Sequence, residues 1–221
     1  MSKAKAIKAM TIAITNNENT PLNKVANYNL YLKVKEEKAL AATKTFTAEM
    51  LLLAMLATSL MNDNVKQYAQ VNKLIDLVKQ KEIDALAKKL QKVKNMYVIS
   101  RGKLFGIAKE TCCKLQETCF VNATAYASSD FMHGPLALID KDSYVLFLMP
   151  NDEAKSDVTK LMKLIKDNHA HTYCLGGYKV NQTVYPFVMT YAIQLLAATL
   201  AKLLKLNPDK SRNLKKYTKT I

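Results

Sequence analysis

Clean apolar runs are missing from this 221-residue chain, and so are most residues that punctuate unusual architectures. It has only five glycines and five prolines, which excludes collagen-like and low-complexity arrangements. The opening MSKAKAIKAM lacks the apolar core of a secretory leader, so no export signal is expected and the reading is cytoplasmic. Phe46–Met61 and Phe187–Leu206 come nearest to a membrane span. Glu49 interrupts the first, and Gln194, Lys202 and Lys205 interrupt the second. Neither supplies the roughly 20 clean apolar residues a span needs, so both read as core helices and no membrane partner is expected. Cysteine is sparse too. Cys112, Cys113, Cys119 and Cys174 form no C-x-x-C pair, and the adjacent Cys112–Cys113 suits neither a disulfide nor a metal clip. Reduced thiols are expected, with no metal site and no cofactor.

Arginine is the most telling scarcity. Only two of the 33 basic residues, Arg101 and Arg212, are arginine. Nucleic-acid readers rely on arginine for bidentate contacts, so the net charge of +15 reads as a lysine-rich solvated surface and not as a nucleic-acid interface. Such a surface still attracts anionic metabolites. What is present is ordinary globular material: 49% hydrophobic and 23% charged residues, enough for one large domain or two small ones.

Strand-like and helix-like segments alternate along the chain. Met10–Thr15 reads as a buried strand, Thr20-Pro21 as a cap and first turn of a short helix towards Ala26, and Tyr28–Val34 as a second strand. A polar loop, Glu36–Thr45, leads to a helix over about Phe46–Asn62, then to helical stretches over about Asn64–Lys79 and Lys81–Val93. The pattern restarts with the strand Met96–Ser100, a helix over Leu104–Thr118 and a strand near Phe120–Thr124. The strand Tyr144–Met149, a helix over Glu153–Asn168, the strand His171–Leu175 and a long helix from Pro186 to Leu206 complete it. This alternation predicts an α/β protein: two parallel-sheet halves with helices on both faces, the first half incomplete with two strands against four. The expected division is residues 1–80, 81–206 and a tail, 207–221.

Few residues could carry chemistry. Glu110, Lys114 and Glu117 fall at spacings of four and three, on one face of their helix. They read either as an exposed ion-pair stripe worth a few tenths of a kcal/mol or as a general base oriented by a lysine. His133 stands in a polar, turn-rich loop, either as a titrating acid–base group or as a satisfied surface histidine. The loop Ala42-Thr43-Lys44 precedes a helix N-terminus that could take an anion, while Thr43, Thr45 and Thr47 could equally be plain caps. His169 and His171 have no carboxylate at ligand spacing, so no metal is expected there.

Taken in order, these segments resemble the sugar isomerase (SIS) domain family over nearly the whole chain. The resemblance is carried by EKALAATKTFT over 37–47, Ser100-Arg101-Gly102, the Glu110/Lys114/Leu115/Glu117 set and AYASSDFMHGPLALI over 125–139. The tail Pro208–Thr218, with Arg212-Asn213-Leu214 and Lys216, completes it. Within the family the motifs look like the branch formed by the isomerase half of glucosamine-6-phosphate synthase and the SIS-type deaminases.

The resemblance implies an amino-sugar phosphate isomerase or deaminase acting on glucosamine 6-phosphate or fructose 6-phosphate. Glu117 would shuttle a proton between C1 and C2, His133 would assist ring opening, and Lys216 would form an imine with the ketose carbonyl. Lys114 and Glu110 would support Glu117. Glu37, Ala42, Thr43, Lys44, Arg101 and Gly102 would line the sugar site, with Ala42 standing where relatives often carry serine. A homodimer sharing its sites is implied. The family's phosphate loop precedes the strand matching Met10–Thr15, so an N-terminal truncation is the expectation, and no glutaminase segment is seen. A sugar-phosphate-binding module without catalysis, or an inactive remnant, are the alternatives.

Overall fold

The structure is a computed structural model that describes residues 2–216. The tail residues from 217 onward, including Thr218 of the matched motif, lie outside the described residues. The elements in chain order are α1 (Ser2–Ala6), β1 (Ile12–Thr15), α2 (Pro21–Val25), β2 (Tyr28–Tyr31), α3 (Lys44–Leu60), α4 (Val71–Leu74) and α5 (Gln80–Leu90). There follow β3 (Asn95–Ser100), α6 (Phe105–Cys119), β4 (Asn122–Ala127), α7 (Ser128–Phe131), β5 (Tyr144–Met149), α8 (Ala154–Asp167), β6 (His171–Gly176) and α9 (Tyr185–Leu203). The chain divides into two compact units, residues 1–38 with 42–68, and residues 39–41 with 69–221.

The first unit holds a two-stranded parallel sheet, Ile12 pairing with Tyr28 and Thr15 with Tyr31. Its turns are made by side chains. Thr20 and Asn23 form a reciprocal capping box at the start of α2, and the Asn23 amide nitrogen also donates to Thr15 Oγ1 and Asn29 Oδ1, each at 3.0 Å. These bonds fix α2 against both strands. Helix α3 is not the core helix its composition suggests. Thr58 is its only buried residue, while Leu53, Leu60 and Met61 are exposed. A two-stranded sheet has too little surface to cover a helix of this length.

Over Asn64–Lys79 no continuous helix forms, contrary to the expectation from sequence. The segment breaks into a 3₁₀ turn at Val65–Tyr68, the single turn α4, and a second 3₁₀ turn at Ile75–Leu77. Val65, Tyr68, Val71 and Leu74 recur every third residue, which matches three residues per turn and drifts off the face of an α-helix.

The second unit carries a four-stranded, wholly parallel sheet in the order β4-β3-β5-β6. Central β5 is buried from Val145 to Met149, as a strand covered on both faces should be. Alternate residues serve alternate faces. Ile99, Val145, Phe147 and Met149 meet Val158, Leu161 and Ile165 of α8 in one apolar cluster, and the opposite face is covered by α6 and α9. Helix α9 is long and apolar enough by length and composition to cross a membrane, but Ala192, Leu196 and Leu200 on it are core residues of this unit.

Two local ties shape the sheet's carboxyl edge. The Tyr185 hydroxyl donates to the Met149 carbonyl at 2.7 Å and accepts from the Gly177 amide at 3.0 Å. A Cβ at Gly176, whose φ is +136°, would come within 2.8 Å of that hydroxyl, so only glycine fits. Phe131 of α7 packs edge-on between Tyr97 and Tyr126, with centroids 5.3 Å from each. That contact seats α7, and with it Ser128, at the end of β4. Strand β4 begins two residues later than its sequence suggests because Phe120 caps α6 in the left-handed conformation, φ 56°.

Candidate functional site

Glu110, Lys114 and Glu117 come together as their spacing requires, but not as an exposed stripe. Lys114 is 3% exposed, and its ammonium lies 2.5 Å from Glu117 Oε2 and 3.5 Å from Glu110 Oε1. The first contact is a short charge-assisted hydrogen bond. The second is an ion pair without hydrogen-bond geometry, which leaves Glu110 Oε1 buried with no hydrogen-bond partner among the described residues. Burial pushes the Glu110 carboxyl up, and the Glu117 charge adds to this while Lys114 opposes it. Burial works against the Lys114 ammonium, yet the hydrogen bond to Glu117 and the Glu110 charge outweigh it and hold the group above its ordinary value. Two carboxylates thus share one committed cation.

Beside Glu117 the chain's far end contributes to a pocket. A pocket of about 520 Å³ lies over Glu117 and Cys113, with Phe120 and Asn122 on one side and the tail residues Arg212 and Asn213 on the other. The Arg212 guanidinium stacks 4.2 Å from the centre of the Phe120 ring, a cation–π contact that pins the tail to the end of α6. Lys216, a few residues on, donates to the carbonyls of Ala39 at 2.5 Å and Leu40 at 3.4 Å. The Leu40 amide in turn donates to the Asp209 carbonyl at 3.1 Å. Burial raises the neighbouring thiols, Cys112 to about 12, and all four cysteines are free.

In the first unit the start of α3 is already served by an anion of the chain itself. Glu37 Oε1 accepts from the Thr43 amide, the Thr43 hydroxyl and the Lys44 amide, each at 2.9 Å, and Thr45 Oγ1 donates to Oε2. Burial alone would raise this carboxyl, but the hydrogen bonds from Thr45, Thr43 and Lys44 overcome it and take the group from 4.5 to about 2. The helix N-terminus is therefore capped by Glu37, with Thr43, Thr45 and Lys44 as donors to it. Ala42 sits half-buried in this turn. Because the folded value lies below the unfolded one, the stabilisation is complete above about pH 4.5 and is lost as pH falls towards 2. Glu37→Gln should cost about 1–2 kcal/mol in urea denaturation at pH 7, and the difference from the native chain should shrink below about pH 4.5 and vanish only as pH falls to about 2.

His133 and Arg101 lie elsewhere. Arg101 follows β3, paired with Asp157 at 3.0 Å, and both line a cleft of about 460 Å³ together with His133, Ser128 and Lys160. His133 is exposed at its lip, and Gly102, with φ +60°, turns the chain from Arg101 into α6. The two pockets sit at opposite ends of β4, since Asn122 opens that strand beside Glu117 and Ser128 follows it in the cleft. Six strand residues span about 20 Å, too far for one small substrate to reach both. Among the described residues no group of three His, Cys, Asp or Glu is placed to hold a metal ion.

In the sequence Arg212 stands in the tail motif without a site role, and Asp157 and Lys160 stand in no motif. The rarity of arginine was the available signal for the first. Asp157 and Lys160 carry none, because only the sheet topology brings α8 beside the ends of β3 and β4.

Comparison with known proteins agrees with the motif reading. A family model described as SIS domain matches residues 1–59 and 89–196. A glutamine–fructose-6-phosphate aminotransferase (isomerizing) of Thermotoga maritima is 30% identical over 96% of this chain and 40% of its own length. The chain thus spans about 40% of the length of the curated relatives it matches. Among solved structures, the C-terminal domain of glucosamine-fructose-6-phosphate aminotransferase from Francisella tularensis superposes with TM-score 0.83 at 22% identity, over 95% of this chain and 67% of that one. A glucosamine-6-phosphate deaminase from Thermotoga maritima gives TM-score 0.79 at 23% identity, over 96% and 67%.

Proposed function

The chain belongs to the SIS domain family, and from that premise and the buried triad we propose that it moves a proton between C1 and C2 of an amino-sugar phosphate, as an isomerase or deaminase. The observation that carries this reading is Glu117. It is a carboxylate held by a buried lysine, set in a pocket large enough for a hexose phosphate and lined on one side by the tail. A solvated ion-pair stripe would need none of these.

The chemistry follows from the charges. The Glu117 carboxylate takes a proton from C1 of the open-chain ketose or its imine, the bonding pair becomes the double bond of an enediol or enamine, and the same carboxyl returns the proton to C2. Lys114 holds Glu117 in place, and the hydrogen bond to Glu117 and the Glu110 charge keep Lys114 ionised. Lys216 supplies the amine for an imine, with loss of water from the ketose carbonyl. His133 opens the ring, and it can serve a Glu117 site only from a second copy, since within one chain the two face opposite ends of the sheet. The working form is therefore a homodimer with shared sites.

Incubation with glucosamine 6-phosphate, or with fructose 6-phosphate and ammonium, in deuterated water tests the reading. Deuterium is expected by NMR at C1 of the fructose 6-phosphate formed in the first reaction and at C2 of the glucosamine 6-phosphate formed in the second. Saturable sugar-phosphate binding without any exchange would instead make the chain a binding module.

A further inference from the structure

We propose that the cleft containing Arg101, which within one chain lies at the opposite end of β4 from the Glu117 pocket, is a second ligand site, and that it takes a phosphomonoester with an apolar body. The proposal does not depend on whether Glu117 is catalytic.

The cleft's position comes first. In the order β4-β3-β5-β6 the chain leaves β3 through α6 to reach β4 on one side, then crosses back to β5 on the other. The connecting helices therefore run to opposite faces, and the loops after β3 and β5 part above the carboxyl ends of the strands. Open parallel sheets bind ligands at such a reversal. Arg101 is the first residue after β3, Ser128 the first after β4, and Asp157 and Lys160 lie in the opening turns of α8, after β5.

Its chemistry selects an anion. Arg101 and Lys160 face one carboxylate, Asp157, so the cleft keeps a net positive charge. Lys160 makes no ion pair among the described residues. The second, independent feature is Ser128. It is 2% exposed, lines the cleft, and its hydroxyl has no hydrogen-bond partner among the described residues. Its neighbour Ser129 is satisfied by Asp130 at 3.1 Å. A buried hydroxyl left unpaired is costly, and an acceptor delivered by a ligand removes that cost. A carboxylate offers two oxygens, which Arg101 alone would use. A phosphomonoester offers three non-bridging oxygens, enough for Arg101, Lys160 and Ser128 together.

Size and lining supply the rest. About 460 Å³ exceeds what a bare phosphate fills and lies in the range of small-molecule sites. Leu161, Leu164 and Met132 form the wall beyond the charged groups, so the body carried by the phosphate meets carbon. Asp157 acts as a stand-in when the cleft is empty. Its pair with Arg101 is half-exposed on both sides, 42% and 45%, so an incoming dianion can displace it at little cost. Asp157 also opposes the ligand once bound, which gives the proposal a gain-of-binding test.

Titration calorimetry with phenyl phosphate and with inorganic phosphate, on the full chain, decides the matter. Phenyl phosphate should bind more tightly than inorganic phosphate. Arg101→Gln and Lys160→Gln should each weaken it about tenfold or more, the loss of one charge-assisted hydrogen bond. Ser128→Ala should weaken it several-fold, and Asp157→Asn should tighten it. Because Ser128→Ala and Asp157→Asn are nearly isosteric, they keep the test sound if an arginine or lysine variant fails to fold. Absence of saturable binding at millimolar ligand, or unaltered binding in the Arg101 and Lys160 variants, would each overturn the proposal. Failure of deuterium exchange with this binding intact would remove the catalytic reading and leave the cleft standing.

Discussion

Replacing Glu117 with Gln should lower turnover by about 10²–10⁴-fold, the usual contribution of a positioned acid–base group, while the melting midpoint and the Michaelis constant move little. The split follows from the geometry. A glutamine oxygen can still accept from the Lys114 ammonium, which lies 2.5 Å from Glu117 Oε2 in the native chain. Lys114 then remains paired with Glu110, so the site keeps its shape and its ground-state contacts. What is lost is the capacity to take up and return a proton, an interaction made only in the transition state. Subunit mixing sharpens the test. In an equal mixture of Glu117→Gln and His133→Ala chains, random pairing gives mixed dimers with one intact site each, and activity should recover to about a quarter of native. No recovery would mean that His133 acts within its own chain or not at all. Full turnover in Glu117→Gln alone would end the proton-shuttle assignment.

Lys114→Met is the second large effect, and it acts on stability. The side chain has almost the same volume, so packing changes little, but two partly buried carboxylates lose their common cation. Breaking a buried ion pair from one side costs about 3–5 kcal/mol, a large part of the 5–15 kcal/mol that holds a typical domain together. The pH dependence has a definite sign. Glu110 is already raised by burial and by Glu117, with Lys114 the opposing influence, so removing Lys114 raises it further. A carboxyl whose folded value lies above its unfolded one binds protons on folding, and stability then falls as pH rises through that raised value. The deficit of Lys114→Met, read from urea midpoints, should be largest near pH 8 and shrink towards pH 5. Adding Glu110→Gln and Glu117→Gln should recover much of it, because a fully neutral triad leaves no buried charge unpaired. A deficit independent of pH and of the added substitutions would mean that the lysine acts only by packing.

The same triad marks how far the sequence could be read. Spacings of four and three placed Glu110, Lys114 and Glu117 on one face, and alternation along 96–176 gave the parallel sheet with β5 at its expected bounds. That Glu117 would line a pocket was not legible, because the residues that flank it there, Arg212 and its neighbours, arrive from nearly a hundred positions downstream. Local signals failed where two readings shared one pattern. The period of three over Val65–Leu74 passed for a helix, and Phe120 passed for the start of a strand although it closes α6 in the left-handed region. At the start of α3 the preference of a helix N-terminus for negative charge was legible. That Glu37, a few residues upstream, would supply the charge depended on a loop conformation that no periodicity encodes.

The separation of Glu117 and His133 at opposite ends of β4 has a consequence for how activity scales. If each working centre draws on two chains, the number of centres rises with the square of protein concentration until the chains are fully associated, and only then in simple proportion. Abundance then becomes a control on catalysis, with dilution acting as an inhibitor that leaves every side chain in place. A substitution far from either pocket that loosens the association of two chains would read in a steady-state assay as a poorer catalyst, though its chemistry were untouched.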